Sequence, residues 1–335
     1  MKSMLFDRAQ YEDLLDQADL SMLIEVLLNS PYGHEMAEAL TRFQGAAAVE
    51  EAVSRNLAEN YRRLVALCRG REEIGGVSPV AVFFERWDLI AAKSLLRARH
   101  AGLHPRAAMA VLVPGPGMGV ALLRELAERE DMEGLVHGLA AWNPALCAPL
   151  VDALAVYAAE RDVSVLEERL DRSYFVEQAA RLTEPGDDDC ELLRHVLQME
   201  IDRINLRIVF RSGDDARAAR LVEGGTLSRR TLQGMADAPS AAEAMEFLGN
   251  TAYRELVEGL FQFLQSARFS PLERLFDLFI ITYLKRIARV RVLSLAVLMH
   301  YAWLKYNEVM NLRLIAQGEA RHLPRGRIRE ELVYA

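Results

Sequence analysis

Apolar residues recur along this chain at intervals of three and four, as in Leu20, Leu23, Ile24, Leu27 and Leu28, or in Leu272, Leu275, Phe276 and Phe279. That spacing lines one face of an α-helix, and no run alternates apolar with polar positions as a half-buried strand would. Helix-start signals agree, since Ser270-Pro271 sets a capping hydroxyl ahead of a proline at the first helical position. The pattern predicts an all-α fold. Its periodic segments are interrupted at Pro114 to Gly119, and again by Glu223-Gly224-Gly225-Thr226 and Asp237-Ala238-Pro239-Ser240. Glycine and proline clusters of this kind mark loops, and they divide the chain near thirds. The expected units are three similar helical bundles over residues 1–115, 116–228 and 229–335.

A repeated segment supports that division. Asp88-Leu89-Ile90-Ala91-Ala92-Lys93-Ser94-Leu95-Leu96-Arg97, Asp202-Arg203-Ile204-Asn205-Leu206-Arg207-Ile208-Val209-Phe210-Arg211 and Glu308-Val309-Met310-Asn311-Leu312-Arg313-Leu314-Ile315-Ala316-Gln317 share one order: an acid, a small residue or Asn, a basic residue, then a basic or amide end. Upstream lie Asn29-Ser30-Pro31-Tyr32, Asn143-Pro144-Ala145-Leu146 and Asn250-Thr251-Ala252-Tyr253, which precede those acids by 59, 59 and 58 residues. The near-constant offset points to a threefold repeat.

On a helix the acid and the residue three later are neighbours, while the positions five and nine beyond the acid share another face. Apolar side chains fill most of the rest, so each such helix is expected to be nearly surrounded by protein. Buried polar groups need partners, because an unpaired one costs roughly 1–3 kcal/mol. Asp88, Arg97, Asp202, Asn205, Arg207, Arg211, Glu308, Asn311 and Arg313 are therefore the candidate functional residues. Two readings stand side by side. They are internal clamps that tie helices together, or they line a shared central cavity about a pseudo-threefold axis, giving a wet, funnel-like body.

Composition narrows the function. The chain has 335 residues, 51% of them apolar and 26% charged, with a formal net charge of −8. That is enough apolar material for more than one core, and the acidic balance argues against a general nucleic-acid binder, whose phosphate contacts need a basic surface. The charge is uneven: from Lys285 to Arg329, ten basic residues face two acids, Glu308 and Glu319. Within that stretch Arg321, Arg325, Arg327 and Arg329 are candidate docking residues for acidic partner loops or lipid headgroups, the alternative being a solvated tail. Lys285, Arg286, Arg289 and Arg291 surround most of a helix and read first as solvated. Cys68, Cys147 and Cys190 are an odd number with no metal-ligand spacing, so a reducing compartment is expected. No secretory signal is expected at the start, where Asp7 precedes any long apolar run. The uncharged stretch from Ala107 to Leu123 is broken by Pro114-Gly115-Pro116-Gly117, and the run from Leu293 to Leu304 is too short to span a bilayer.

Several signals suggest chemistry and fail on detail. Val111 to Gly119 looks like a strand feeding a phosphate loop, but its third glycine comes one residue early for GxGxxG and its prolines remove backbone donors. A linker accounts for it. Asp187-Asp188-Asp189-Cys190-Glu191 with Asp214-Asp215 suggests a magnesium-dependent isoprenoid-type enzyme. Pro185-Gly186 places the first run at a helix start, where acids are favoured without any metal. His100 and His104 are four apart, yet Gly102 and Pro105 mark a helix end between and beyond them, which favours a capping or surface role. A generic helical scaffold is the other alternative.

The segments that carry the repeat also carry a likeness. Leu28-Asn29-Ser30-Pro31-Tyr32-Gly33, Trp87-Asp88 through Arg97, Leu170-Asp171-Arg172-Ser173-Tyr174-Phe175, Glu200 through Arg207 and Asn307 through Ala316 resemble, in order and spacing, the C-subunit family of V/A-type ATPases, related to the eukaryotic d subunit. The resemblance implies a non-catalytic central-rotor connector with no nucleotide site and no cofactor. It also implies one copy per complex, seated on the membrane proteolipid ring and receiving the central-stalk subunits of D/F type, on the cytoplasmic face of the membrane. Torque would pass through it for ATP-coupled proton or sodium transport, a role suited to close-packed, poorly compressible helices. Two departures are visible. The chain begins near Leu14-Leu15, where similar proteins carry an earlier helical segment, and Ala91-Ala92-Lys93 stands where the pattern prefers Asn-Leu and a basic residue.

Overall fold

The computed structural model describes residues 5–17, 19–67, 79–182, 187–210, 220–257, 259–260 and 270–334; Cys68, Arg211, Asp214 and Asp215 lie outside them. Every regular element among the described residues is a helix, as the spacing of apolar positions predicts. The first are α1 (Arg8–Gln17), α2 (Leu20–Leu28), α3 (Gly33–Leu40), α4 (Gly45–Leu67), α5 (Pro79–His100) and α6 (Pro105–Val111). Next come α7 (Val120–Ala127), α8 (Met132–Trp142), α9 (Pro144–Cys147), α10 (Pro149–Glu160), α11 (Ser164–Arg181) and α12 (Asp188–Phe210). Then follow α13 (Arg229–Asp237), α14 (Ala241–Glu246), α15 (Ser270–Val290), α16 (Leu295–Ala320) and α17 (Arg325–Glu331).

Local chemistry sets many of these boundaries. Side-chain oxygens of Asp19, Asp131, Asn143, Ser228 and Ser240 accept from backbone amides in the first turns of α2, α8, α9, α13 and α14, satisfying donors the helix cannot. At the other end, α5 and α16 stop alike. Gly102 (φ 67°) and His322 (φ 53°) turn left-handed, and the amides of Leu103 and Leu323 return to the carbonyls of Ala98 and Gly318 at 3.0 and 2.8 Å. Each of these turns lies 14 residues past its motif acid, and a proline then leads into the short helix α6 or α17.

The chain forms two compact units, Met1–Thr183 with Leu298–Tyr334, and Glu184–Val297. In the first unit α3 packs on α4, α5 on α11, and α8 to α11 on one another. Its centre is aromatic: Trp87 and Trp303 are buried, 6.0 Å apart between ring centroids, with Tyr61 and Phe83 5.1 and 4.9 Å from Trp87. In the second unit α12 packs on α13 and α15, around Leu206, Met235, Met245, Tyr253, Leu260 and Phe276. The repeated segments sit on α5, α12 and α16. All three helices bury residues on nearly every side, the environment their apolar surrounds predict. Among the described residues no helix is long and apolar enough to cross a membrane.

Candidate functional site

The three motif acids occupy equivalent positions near the middle of α5, α12 and α16, and each is enclosed by a loop or chain end from elsewhere. Asp88 accepts from the backbone amides of Gly117, at 3.0 Å to both carboxylate oxygens, and of Met118 at 2.8 Å. The indole of Trp142 donates to the carbonyl of the same Gly117 at 3.2 Å. Asp202 accepts from the amides of Thr226 (2.8 Å) and Leu227 (3.2 Å), from the Thr226 hydroxyl, and from the Tyr253 hydroxyl at 2.7 Å. Glu308 accepts from the amide of Phe6, from the Tyr32 hydroxyl at 2.6 Å and from Lys305 Nζ at 2.9 Å.

The glycine-rich stretches that read as linkers therefore have a specific task. A Cβ at Gly115 or Gly117 would strike the Asp88 carboxylate, and one at Gly225 would strike that of Asp202. Only bare backbone can approach so closely. Successive amides of such a turn cradle an anion, and here the anion is the protein's own side chain. The upstream markers belong to the same construction. Ser30 and Thr251 each donate a hydroxyl to a carbonyl three residues back, Leu27 and Leu248, and accept from the amide two residues on, at Tyr32 and Tyr253. That turn presents each tyrosine to its acid. The middle marker has Leu146 in the tyrosine position, and Trp142 supplies the nearby ring.

A second set of contacts joins the other polar positions to a helix of the following third. Lys93 reaches both oxygens of Asp171 on α11 at 2.8 and 2.6 Å, and Arg97 grips Glu167 one turn away. Arg207 meets Glu273 on α15 at 3.4 Å, and Arg203 lies 3.1 and 3.8 Å from Glu273 and Asp277. Arg313 donates to Ser54 on α4 at 3.1 Å and to the carbonyls of Leu112 and Ala110 at 2.7 and 2.6 Å, while Gln317 donates to Glu50. In each case the partners are spaced four apart, so they share one helix face. Asn205 and Asn311 pair in both directions with backbone, at Val222 and Val333. Ala91 stands at the corresponding place in α5 and makes no such pair.

Burial governs the electrostatics. It pushes the Asp88 carboxyl up to about 7, against the Met118 and Gly117 amides that favour its charged form. Asp202 is likewise raised by burial, opposed by Thr226, Tyr253 and the loop amides. Burial lowers Lys305 and Arg313, with Glu308 and Glu50 respectively resisting the shift. Tyr32 is raised well above the ordinary tyrosine value, chiefly by burial and then by Glu308. Such groups hold charge in a poor solvent for it, so losing one partner strands the other.

The proposed docking arginines are placed differently from one another. Arg329 binds Glu12 and Asp16 at 2.8 Å each, and Arg325 donates to the carbonyl of Asp16 at 2.8 Å. These two fasten α17 against α1. Arg321 is exposed, and Arg327 lies 3.7 Å from Glu330 on the surface. The acid run at the start of α12 also has a local account: Asp187 accepts from the Cys190 amide at 2.7 Å, Asp189 from the Leu295 amide at 2.8 Å, and Asp188 lies 3.1 Å from Arg291. Among the described residues no group of three or more His, Cys, Asp and Glu could hold a metal. His104 accepts from the Arg106 amide at the start of α6, and His100 meets the Tyr157 hydroxyl at 3.1 Å.

Sequence reasoning missed Lys93, Glu167, Glu50 and Glu273 as partners, and the two glycine loops as cradles. One signal was available: Leu112-Val113, Leu221-Val222 and Leu332-Val333 recur ahead of each loop or chain end.

A family model described as ATP synthase (C/AC39) subunit matches residues 1–331. Among curated proteins, the C subunit of the A-type ATP synthase of Methanococcoides burtonii is 25% identical over 99% of this chain and 91% of its own length. The counterpart from Haloquadratum walsbyi is 26% identical over 99% and 95%, and that from Methanocaldococcus jannaschii 25% over 98% and 82%.

Proposed function

The chain belongs to the ATP synthase (C/AC39) subunit family, a structural and non-catalytic part of a rotary ATPase, and from that membership we propose that it is the central-rotor connector. In this reading it joins the D/F-type stalk subunits to the proteolipid ring, one copy per complex, peripheral to the membrane on its cytoplasmic face. It transmits torque by stiffness and performs no chemistry.

The observation that supports this most is the construction of the three seams. Each third sends a motif helix to be gripped by the next: α5 by the loop at Gly117 and by α11, α12 by Tyr253 and by α15, α16 by Phe6, Tyr32 and α4. The last third closes on the first. A cyclic series of this kind favours three helical domains about a pseudo-threefold axis, with bounds near residues 115 and 228. It also favours the clamp reading of Asp88, Asp202, Glu308, Arg97, Arg207 and Arg313 over the cavity reading, because every one of them is engaged by a neighbouring segment. Closely packed and multiply tied, such a body yields little under load.

The test is co-expression with the stalk subunits and the proteolipid ring of one complex, followed by native mass measurement. The expected species holds one copy of this chain together with both partners. A complete rotor that assembles without the chain overturns the reading.

A further inference from the structure

We propose that the groove between α1 and α2 is a docking site for a basic amphipathic helix of a partner protein. The groove has a volume of about 380 Å³ and is lined by Phe6, Gln10, Met22, Glu25 and Val26, with the turn at Asn29 to Pro31 at one end. Met22, Glu25, Val26 and Asn29 follow one another at helical spacing, so they form a single stripe of α2. Met22 is 38% exposed, whereas Leu23 and Leu27 on the opposite side of the same helix are fully buried. The floor is thus apolar, with one carboxylate and two amides at its edges, the form of receptor that takes the apolar face of a helix.

Charge selects the occupant. Between residues 7 and 25 the chain carries Asp7, Glu12, Asp13, Asp16, Asp19 and Glu25 against Arg8 alone. Glu25 stands in the lining itself, and Asp19 caps the helix that carries it, so the acidic balance of this stretch bears on the groove. A lysine- or arginine-bearing helix is steered to such a rim, and an acidic one is repelled. Position adds a consequence: Phe6 is both a wall of the groove and the amide donor to Glu308, and the turn that closes the groove leads directly into Tyr32, the hydroxyl donor to the same carboxylate. An occupant therefore rests on the seam that joins the end of the chain to its beginning and reinforces it. The identity of the partner as another component of the ATPase rests on the rotor-connector reading; the groove and its ligand chemistry do not.

The test titrates the full chain with a designed amphipathic helix of about four turns, leucine on one face and lysine on the other. Its twin, with glutamate for lysine, is run in parallel. A Met22→Ser/Val26→Ser double variant leaves every charge in place. The expected result is binding of the lysine peptide, none of the glutamate peptide, and at least about tenfold weaker binding by the double variant. Failure of the lysine peptide to bind overturns the proposal. Binding that the double variant leaves unchanged also overturns it, since that is diffuse attraction between opposite charges. So does a concentration-dependent dimer lost in the double variant, since the occupant is then a second copy of the chain. Failure of the rotor reading shows instead as absence from the co-expressed complex, whatever the peptide does.

Discussion

Asp88 and Glu308 sit at the same register of the same kind of helix, and the fold encloses them by opposite means. Asp88 is met about thirty residues downstream by a loop of continuous chain, where Gly115 and Gly117 let backbone amides approach. Among the described residues no side-chain cation donates to it, and burial raises its pKa to about 7. Glu308 takes its backbone donor from Phe6, 302 residues away, and Tyr32 and Lys305 complete the set. Around Asp88 a glycine loop uses close approach to hold the anion, and around Glu308 side chains and a buried cation do. The same requirement, to satisfy an acid inside a packed helix, is thus met in two ways that differ in what their loss should cost.

That difference is most exposed by Glu308→Ala. It strands Lys305 in the interior and unpairs the Tyr32 hydroxyl, and it should destabilise the protein by about 3–5 kcal/mol in urea unfolding. Asp88→Ala strands no cation and should cost less. If the two losses are equal, the cation at the terminal seam is not what sets them apart.

The pH response sharpens the contrast. Burial lifts Asp88 from 3.8 to about 7, so the folded protein holds that proton more tightly than the unfolded chain does. Its contribution to stability is greatest below about pH 4 and is lost as the pH rises to about 7, a decline of about 2–4 kcal/mol. Stability measured across that window should fall for the parent relative to Asp88→Asn, in which the group no longer titrates.

Filling a cradle is expected to be milder. Gly225→Ala puts a methyl against Asp202 and should cost about 1–3 kcal/mol, as overpacking does elsewhere. In an Asp202→Ala background the penalty should shrink, and a double-mutant cycle reads the coupling. The smallest effect belongs to Arg97→Ala, because the Arg97 side chain is 53% exposed where it meets Glu167. Glu167 is itself buried, so the loss should sit at the upper end of the roughly 1 kcal/mol that solvent-exposed pairs contribute, and thermal unfolding at low and high salt should show a small difference that salt reduces.

The fold class and the positions of the three acids were legible because both are local properties. A 3.6-residue apolar rhythm over α5, α12 and α16 needs only neighbouring residues to be read, and it leaves the acid visible as the exception. The caps of α2, α8, α9 and α13, which the apolar rhythm does not single out, are just as local, since a cap sits two or three residues from the amide it satisfies. Partners were not legible in the same way. Lys93 with Asp171 and Arg97 with Glu167 are separated by 78 and 70 residues, and nothing in the local rhythm says which face will meet which. Pro114 to Gly119 shows the limit most clearly. Its composition announces a turn, but the reason for the glycines lies across the fold, in a carboxylate on another element.

The sequence by itself determined that the chain is helical, and where an acid and a base recur in three of its segments. Tertiary structure decided that the glycine stretches are cradles rather than linkers, that Arg325 and Arg329 fasten α17 to α1, and that the first residues complete the last motif. The reason is range. Helix formation follows from contacts within a few residues, whereas the partner of a buried charge is set by which distant segment packing brings within hydrogen-bond reach.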